Sequence, residues 1–154
     1  LLPAPGEEDE VWIVKMNKAR GELRFTAGIP EKDLYLDLFQ TTGWNEEYRF
    51  SREELGRSLE NSWHAVSVYD RRPLIGFGKV ISDGVHHALI ADLIVYTEFR
   101  GRGIGKEIME RLVKRCREEN IRDIQLFAAR GKFLFYEKLG FRKRDKDSPG
   151  MEYR

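Results

Sequence analysis

The sequence predicts an α+β fold, a mixed and mostly antiparallel sheet with helices on both faces. Three observations lead there. Residues 88–115, ALIADLIVYTEFRGRGIGKEIMERLVKR, pass from an apolar run of strand length through a glycine turn into an amphipathic helical pattern. Two more strand-like stretches, 63–69 and 74–82, precede it, joined by Asp70-Arg71-Arg72-Pro73 and followed by Asp83-Gly84, the composition of an antiparallel meander. Helical patterns with start signals stand apart from these at 29–42 and 51–61. The order along the core of the chain is therefore β-α-α-β-β-β-α-β-α-β.

Residues 1–10, LLPAPGEEDE, join two prolines to an acidic run with little to bury, and are expected to be a mobile leader. Residues 11–154 are expected to form a single domain, since 154 residues suit one substantial core. Strands at 11–16 and 22–27 with a turn at 17–21 predict a hairpin. Ile29-Pro30-Glu31 opens a helix with Leu34, Leu36, Leu38 and Phe39 as its apolar residues, ending near Thr42-Gly43. Trp44 to Tyr48 read as a connecting loop. Ser51 and Glu54 have the spacing of a capping box, starting a helix that carries Leu55 and Leu59. After the meander and the glycine turn, a helix is expected to about Glu119, then a strand at 124–127, a short helix at 133–139, and terminal strands near Phe141 and Met151.

Lys and Arg number 27 against 26 acidic residues, so no global field favours nucleic acid or an anionic membrane. Locally, residues 100–117 hold seven basic and two acidic side chains, with Glu107 and Glu110 four residues ahead of Arg111 and Lys114. Cys116 is alone and falls on the apolar face with Ile108, Met109, Leu112 and Val113. That predicts a buried structural thiol and a reducing compartment, cytoplasm or organelle stroma. No apolar run approaches membrane-spanning length. Three histidines and one cysteine without ligand spacing predict no metal site.

The turn Arg100-Gly101-Arg102-Gly103-Ile104-Gly105 favours an anion. Its glycines let a ligand approach the backbone, and the free N–H groups of the following helix point outward at the positive end of the dipole. A dinucleotide fingerprint would need the third glycine one residue later, and a P-loop would need Ser or Thr where Glu107 follows Lys106. The pattern that fits is R-x-x-G-x-G at Arg100, Gly103 and Gly105, directly after a strand ending Leu93-Ile94-Val95. This resembles the acetyl-CoA loop of the GNAT superfamily of N-acetyltransferases. Phe135-Tyr136-Glu137-Lys138-Leu139-Gly140-Phe141 resembles the signature that closes many such domains, and FAARGKFLFYEKLGF followed by DSPGM is similar to small prokaryotic members and to plastid-type aralkylamine (serotonin) N-acetyltransferases.

The resemblance implies a GNAT fold whose two central parallel strands, those at Leu93 and Leu126, splay into a V. It implies acetyl-CoA as cosubstrate, with its diphosphate on the N–H groups of Gly101, Arg102, Gly103, Ile104, Gly105 and Lys106, and with charge added by Arg102 or Lys106. Leu93, Ile94 and Val95 would pair with the pantetheine arm, the Leu93 N–H polarising the thioester oxygen. Tyr136 matches the tyrosine that protonates the leaving thiolate. Many relatives carry a basic glutamate on the central strand, where this chain offers Asp92, either a structural acceptor or a poised base. His86 and His87, at the start of that strand, are alternatives acting through water. The asparagine that relatives place seven residues before the tyrosine is Ala129 here, leaving backbone near Ala128, or Lys132, to replace it.

The helix pair and its loop commonly roof the acceptor site, so Trp44 and Tyr48 either touch substrate or anchor the core, with Trp63 a further ring surface. The substrate implied is a small primary amine, an arylalkylamine among the candidates. Rival readings are acetylation of a protein N-terminus or lysine, and a non-catalytic acyl-CoA sensor. The strand at 11–16 is additional to the usual family layout and is expected to pair at the sheet edge or across a homodimer.

Overall fold

The computed structural model describes residues 11–15 and 22–154; the leader expected at 1–10 and the turn at 17–21 lie outside the described residues. Among the described residues, β1 (Val11–Lys15), β2 (Glu22–Ala27), β3 (His64–Asp70), β4 (Leu74–Ser82), β5 (His87–Val95) and β6 (Asp123–Leu126) form one sheet in that spatial order. Neighbours are antiparallel except β5 and β6, which are parallel. The first hairpin is present, with Val11 opposite Thr26 and Lys15 opposite Glu22, so the additional strand takes the sheet edge within its own chain.

The period-two alternation of the strands sorts their side chains to two cores. Leu23, Phe25, Val66, Val68, Val80 and Ile90 face α4 (Ile104–Glu118), which buries Ile104, Ile108, Met109, Leu112 and Cys116 against them. Full burial of such side chains stabilises by about 1.5–3 kcal/mol each. On the opposite face, Ala65, Tyr69, Phe77 and Ile94 meet Tyr35, Leu36, Leu38 and Phe39 of α1 (Lys32–Gln40) and Leu55 and Leu59 of α3 (Arg52–Glu60). The capping box at α3 forms as predicted: Glu54 N–H donates to Ser51 Oγ at 3.2 Å and Ser51 N–H to Glu54 Oε2 at 2.8 Å.

Two features of β4 and β5 set the site. A Cβ at Gly78 would stand 2.7 Å from Ile108 Cγ2, and one at Gly76 3.2 Å from Ile108 Cδ1, so this glycine pair lets α4 lie close on the sheet. The β4–β5 register steps from Lys79↔Ala91 to Phe77↔Ile94, two residues against three, which is a bulge at Asp92 and Leu93. Asp92 has φ 52° there. The parallel β5–β6 ladder ends at Ile90↔Leu126, although β5 continues to Val95. The two strands therefore part after Ile90, just ahead of the bulge, which is the V-shaped splay expected.

Some expectations fail. Trp44 to Tyr48 are not a plain loop: α2 (Asn45–Tyr48) forms there, because the Asn45 side chain accepts from Phe50 N–H at 2.8 Å and donates to Phe50 O at 3.0 Å, with Arg49 ending the turn at φ 54°. A 3-10 turn, Thr97–Phe99, follows β5. The short helix is α5 (Phe133–Glu137). No strand forms near Phe141 or Met151. The dense charge of 142–147 lacks apolar alternation, and its backbone closes a turn instead, with Ser148 N–H donating to Asp145 O at 2.9 Å and Arg144 gripping Ser148.

Candidate active site

The loop between β5 and α4 is built from its own side chains. Arg100 Nε donates to Val95 O at 3.0 Å, and Arg102 donates to Glu98 O at 2.8 Å while its guanidinium lies 5.0 Å from the Phe99 ring centre. These arginines brace the turn from within. Gly101 and Gly103 have φ 74° and 81°, and a Cβ on either would meet nothing within 4 Å. The glycines are thus required by backbone conformation, and the space beside them is open. The N–H groups of residues 101–106 have no acceptor among the described residues. They crown a 15-residue helix, so they fit the diphosphate of a CoA thioester in charge and in access. Ile104 contributes its N–H alone, its side chain being core, and exposed Lys106 sits 3.7 Å from Glu110.

The splay lies next to this loop. Leu93 falls in the bulge opposite Gly78, Leu93 and Val95 turn toward α4, and Ile94 is buried under α1. Across the opening, Phe135 of α5 comes 3.6 Å from the point where a Gly105 Cβ would stand, with Val95 at 3.7 Å. Tyr136 follows it, half-buried between Phe135 and Phe141 at ring distances of 5.0 and 6.3 Å. Burial pushes its phenol above the ordinary value. No hydrogen bond to its hydroxyl forms among the described residues, so that proton is not committed within the fold. Lys132 caps α5 and its N–H donates to Ala129 O, leaving no side-chain amide where the asparagine of relatives would stand.

Asp92 is part of a buried polar chain. Its Oδ2 lies 2.9 Å from Lys79 Nζ and accepts from Tyr35 OH at 3.3 Å. Lys79 in turn donates to Ser58 Oγ at 2.9 Å. Tyr35 is fully buried, and desolvation, then the Asp92 charge, raises its pKa far above the ordinary phenol range, so it remains a neutral donor. Lys79, Tyr35 and Ser58 were missed from sequence. A signal existed: Lys79 stands among the apolar residues of β4, where a buried ammonium needs an acid on a neighbouring strand.

Trp44 packs edge-on against Phe39 at 5.9 Å, and Phe39 against Tyr35 at 5.7 Å, so one ring series runs from the surface to the Asp92 partner. Tyr48 stacks on Phe50 and is 64 % exposed. No hydrogen bond or ring contact joins Trp44 or Tyr48 to Asp92 or Tyr136. Trp63 belongs to the opposite face, beside α4 under the Arg115 guanidinium, so it is no part of a ring surface with Trp44. His86 and His87 lie at the far start of β5, roughly 17–20 Å from Asp92 by strand rise, too far for a base at the splay.

A glycine-opened helix beside parallel strands that part at a bulge defines a class of acyltransferase that takes its acyl group from a CoA thioester. The chain belongs to the acetyltransferase (GNAT) domain family, whose pattern matches residues 39–150, and it is an N-acetyltransferase by that membership. It is similar to the uncharacterised N-acetyltransferase ycf52 of Gracilaria tenuistipitata var. liui, at 31% identity over 86% of this chain and 76% of the relative. It is also similar to the chloroplastic serotonin N-acetyltransferase 2 of Oryza sativa subsp. japonica, at 36% identity over 60% of this chain and 48% of the relative. Among solved structures, a probable acetyltransferase of unknown function from meticillin-resistant Staphylococcus aureus superposes with TM-score 0.74 at 30% identity, covering 86% of this chain and 98% of that one. No described helix is long and apolar enough to cross a membrane.

Proposed function

We propose that this chain transfers the acetyl group of acetyl-CoA to the primary amine of a small molecule, with arylalkylamines as the first class to test, by direct attack in a ternary complex. The observation that carries this reading is the row of unsatisfied N–H groups at residues 101–106 beside the splay of β5 from β6. Acetyl-CoA supplies the activated thioester. The loop amides hold its diphosphate, and Leu93, Ile94 and Val95 offer backbone at the parted edge, the Leu93 N–H facing the thioester oxygen.

Tyr136 keeps its hydroxyl proton until the C–S bond breaks and passes it to the departing thiolate, a role its raised pKa suits. Among the described residues Asp92 is engaged only through Oδ2, so Oδ1 remains for the incoming amine and takes the proton that nitrogen loses on forming the amide. Lys79 and Tyr35 hold that carboxylate in place. Trp44, reaching Tyr35 through Phe39, and Tyr48 supply the aromatic surface above it. A reducing compartment, with an organelle stroma favoured by the chloroplastic relative, is consistent with the buried Cys116 thiol.

Calorimetry with acetyl-CoA, followed by thiol-release assays on aromatic monoamines, polyamines, aminosugars and a peptide with a free N-terminus, tests the proposal. Release that depends on an aromatic monoamine is expected. Absence of acetyl-CoA binding would overturn the loop assignment. Binding without transfer to any acceptor would favour a sensor, and transfer to the peptide alone a protein acetyltransferase.

A further inference from the structure

Away from the cleft, the start of β5 and the start of β6 bring together groups that are far apart in sequence. The parallel register sets His87 opposite Asp123. His86, His87 and Asp123 each offer a donor atom within 4.8 Å of the others. We propose that these three side chains form a binding site for one divalent transition-metal ion of the Zn2+ type, independent of the acetyl-transfer reading.

The backbone beneath the site is held in place. Asp83 Oδ1 accepts from the N–H groups of Val85, His86 and His87 at 2.9, 2.8 and 3.2 Å, which fixes the turn presenting both imidazoles. Asp123 N–H donates to His86 O at 3.4 Å, tying the two strand starts together. The Asp123 carboxylate accepts from Gln125 Nε2 at 2.8 and 3.0 Å, and Arg144 steadies Gln125 through a 3.1 Å bond to Oε1. Those hydrogen bonds hold the Asp123 carboxylate in place beside both imidazoles.

The imidazoles themselves can move. His87 is 62 % exposed at its side chain, and its ring stacks on His86 with centroids 3.7 Å apart. His87 Nδ1 and Asp123 Oδ2 stand 2.5 Å apart, so two of the three donor atoms already face each other. Zn–N and Zn–O bonds of about 2.0–2.2 Å set tetrahedral ligand atoms roughly 3.3 Å apart, which requires only small rotations of exposed side chains.

The donor set selects the ion. Two imidazoles and one carboxylate suit Zn2+, Co2+ or Ni2+, whereas Ca2+ and Mg2+ call for mostly oxygen ligands. A fourth position would open to the groove of about 470 Å3 that His87 and Asp123 line with Ile81, Leu89 and Phe127, where water or a ligand atom completes the shell.

The test uses the full chain, without affinity tag and stripped by a chelator, titrated with ZnCl2 at neutral pH and followed by calorimetry and by Co2+ absorption. One equivalent is expected, with tetrahedral Co2+ bands. His86→Ala, His87→Ala and Asp123→Asn should each weaken binding by about tenfold or more while leaving the metal-free melting temperature in place. If His87→Ala fails to fold, His87→Gln, which keeps a hydrogen bond to Asp123, takes its place. Absence of binding, or binding that any one of these substitutions leaves within about twofold, overturns the three-ligand site; MgCl2 binding equal to ZnCl2 binding overturns the ion class.

Discussion

Replacing Lys79 by Met isolates the contact on which the proposed acceptor side rests. Met occupies nearly the same volume, so packing in β4 changes little and the ammonium alone is lost. The Lys79 side chain is 4 % exposed and that of Asp92 22 %. Breaking a fully buried pair costs about 3–5 kcal/mol, because it strands one charge. Asp92 keeps Tyr35 OH and some access to water, so a loss of about 2–3 kcal/mol is expected in urea unfolding at pH 7, read as a lower midpoint at constant m-value. Adding Asp92→Asn to Lys79→Met removes the stranded charge, and the double variant should recover to within about 1 kcal/mol of the parent. A Lys79→Met loss below about 0.5 kcal/mol, or strict additivity of the two substitutions, would refute the reasoning. The double variant also separates roles: if it folds with parental stability but turns over far more slowly, Asp92 acts on the amine as well as on the fold.

Tyr136→Phe should lower kcat by about a hundredfold with acetyl-CoA affinity unchanged in calorimetry, and unchanged turnover would remove the hydroxyl from the mechanism. Because burial raises the Tyr136 pKa, its protonated form persists above the ordinary phenol value, so the alkaline fall of the parent's rate attributable to this group should come at higher pH than for an exposed phenol. Gly103→Ala forces a Cβ onto φ 81° in the open space of the loop; about 1–2 kcal/mol of stability and a clear loss of acetyl-CoA affinity are expected, and parental affinity would place the diphosphate elsewhere. Burial pushes the Cys116 thiol up to about 11. The folded chain should therefore resist a disulfide reagent at pH 8 and react rapidly in denaturant, whereas fast labelling of the native protein would contradict the packing of α4.

The features legible in the sequence are those fixed by neighbours a few residues away. The Ser51–Glu54 box, the glycines at 101 and 103 and the apolar stripe from Ile108 to Cys116 each specify a backbone state locally, and each appears where expected. Trp44 to Tyr48 escaped because the decisive contact is the Asn45 side chain reaching to Phe50, a short-range cap outside the usual helix-start patterns. Phe141 and Met151 suggest terminal strands, yet a strand also needs a ladder, and β6 ends at Leu126 with Arg144 tethered to Gln125 by its side chain.

Register governs everything else. One residue inserted in β5 against β4 decides that Asp92 faces Lys79 and Tyr35 rather than α4, and the same bulge turns Leu93 and Val95 to the helix side. A regular ladder would send Asp92, an even-numbered position like Ala88 and Ile90, into the apolar core under α4, where its charge would have no partner. The bulge therefore rescues a carboxylate from burial among aliphatic side chains, and it follows directly on the point where the pairing with β6 stops.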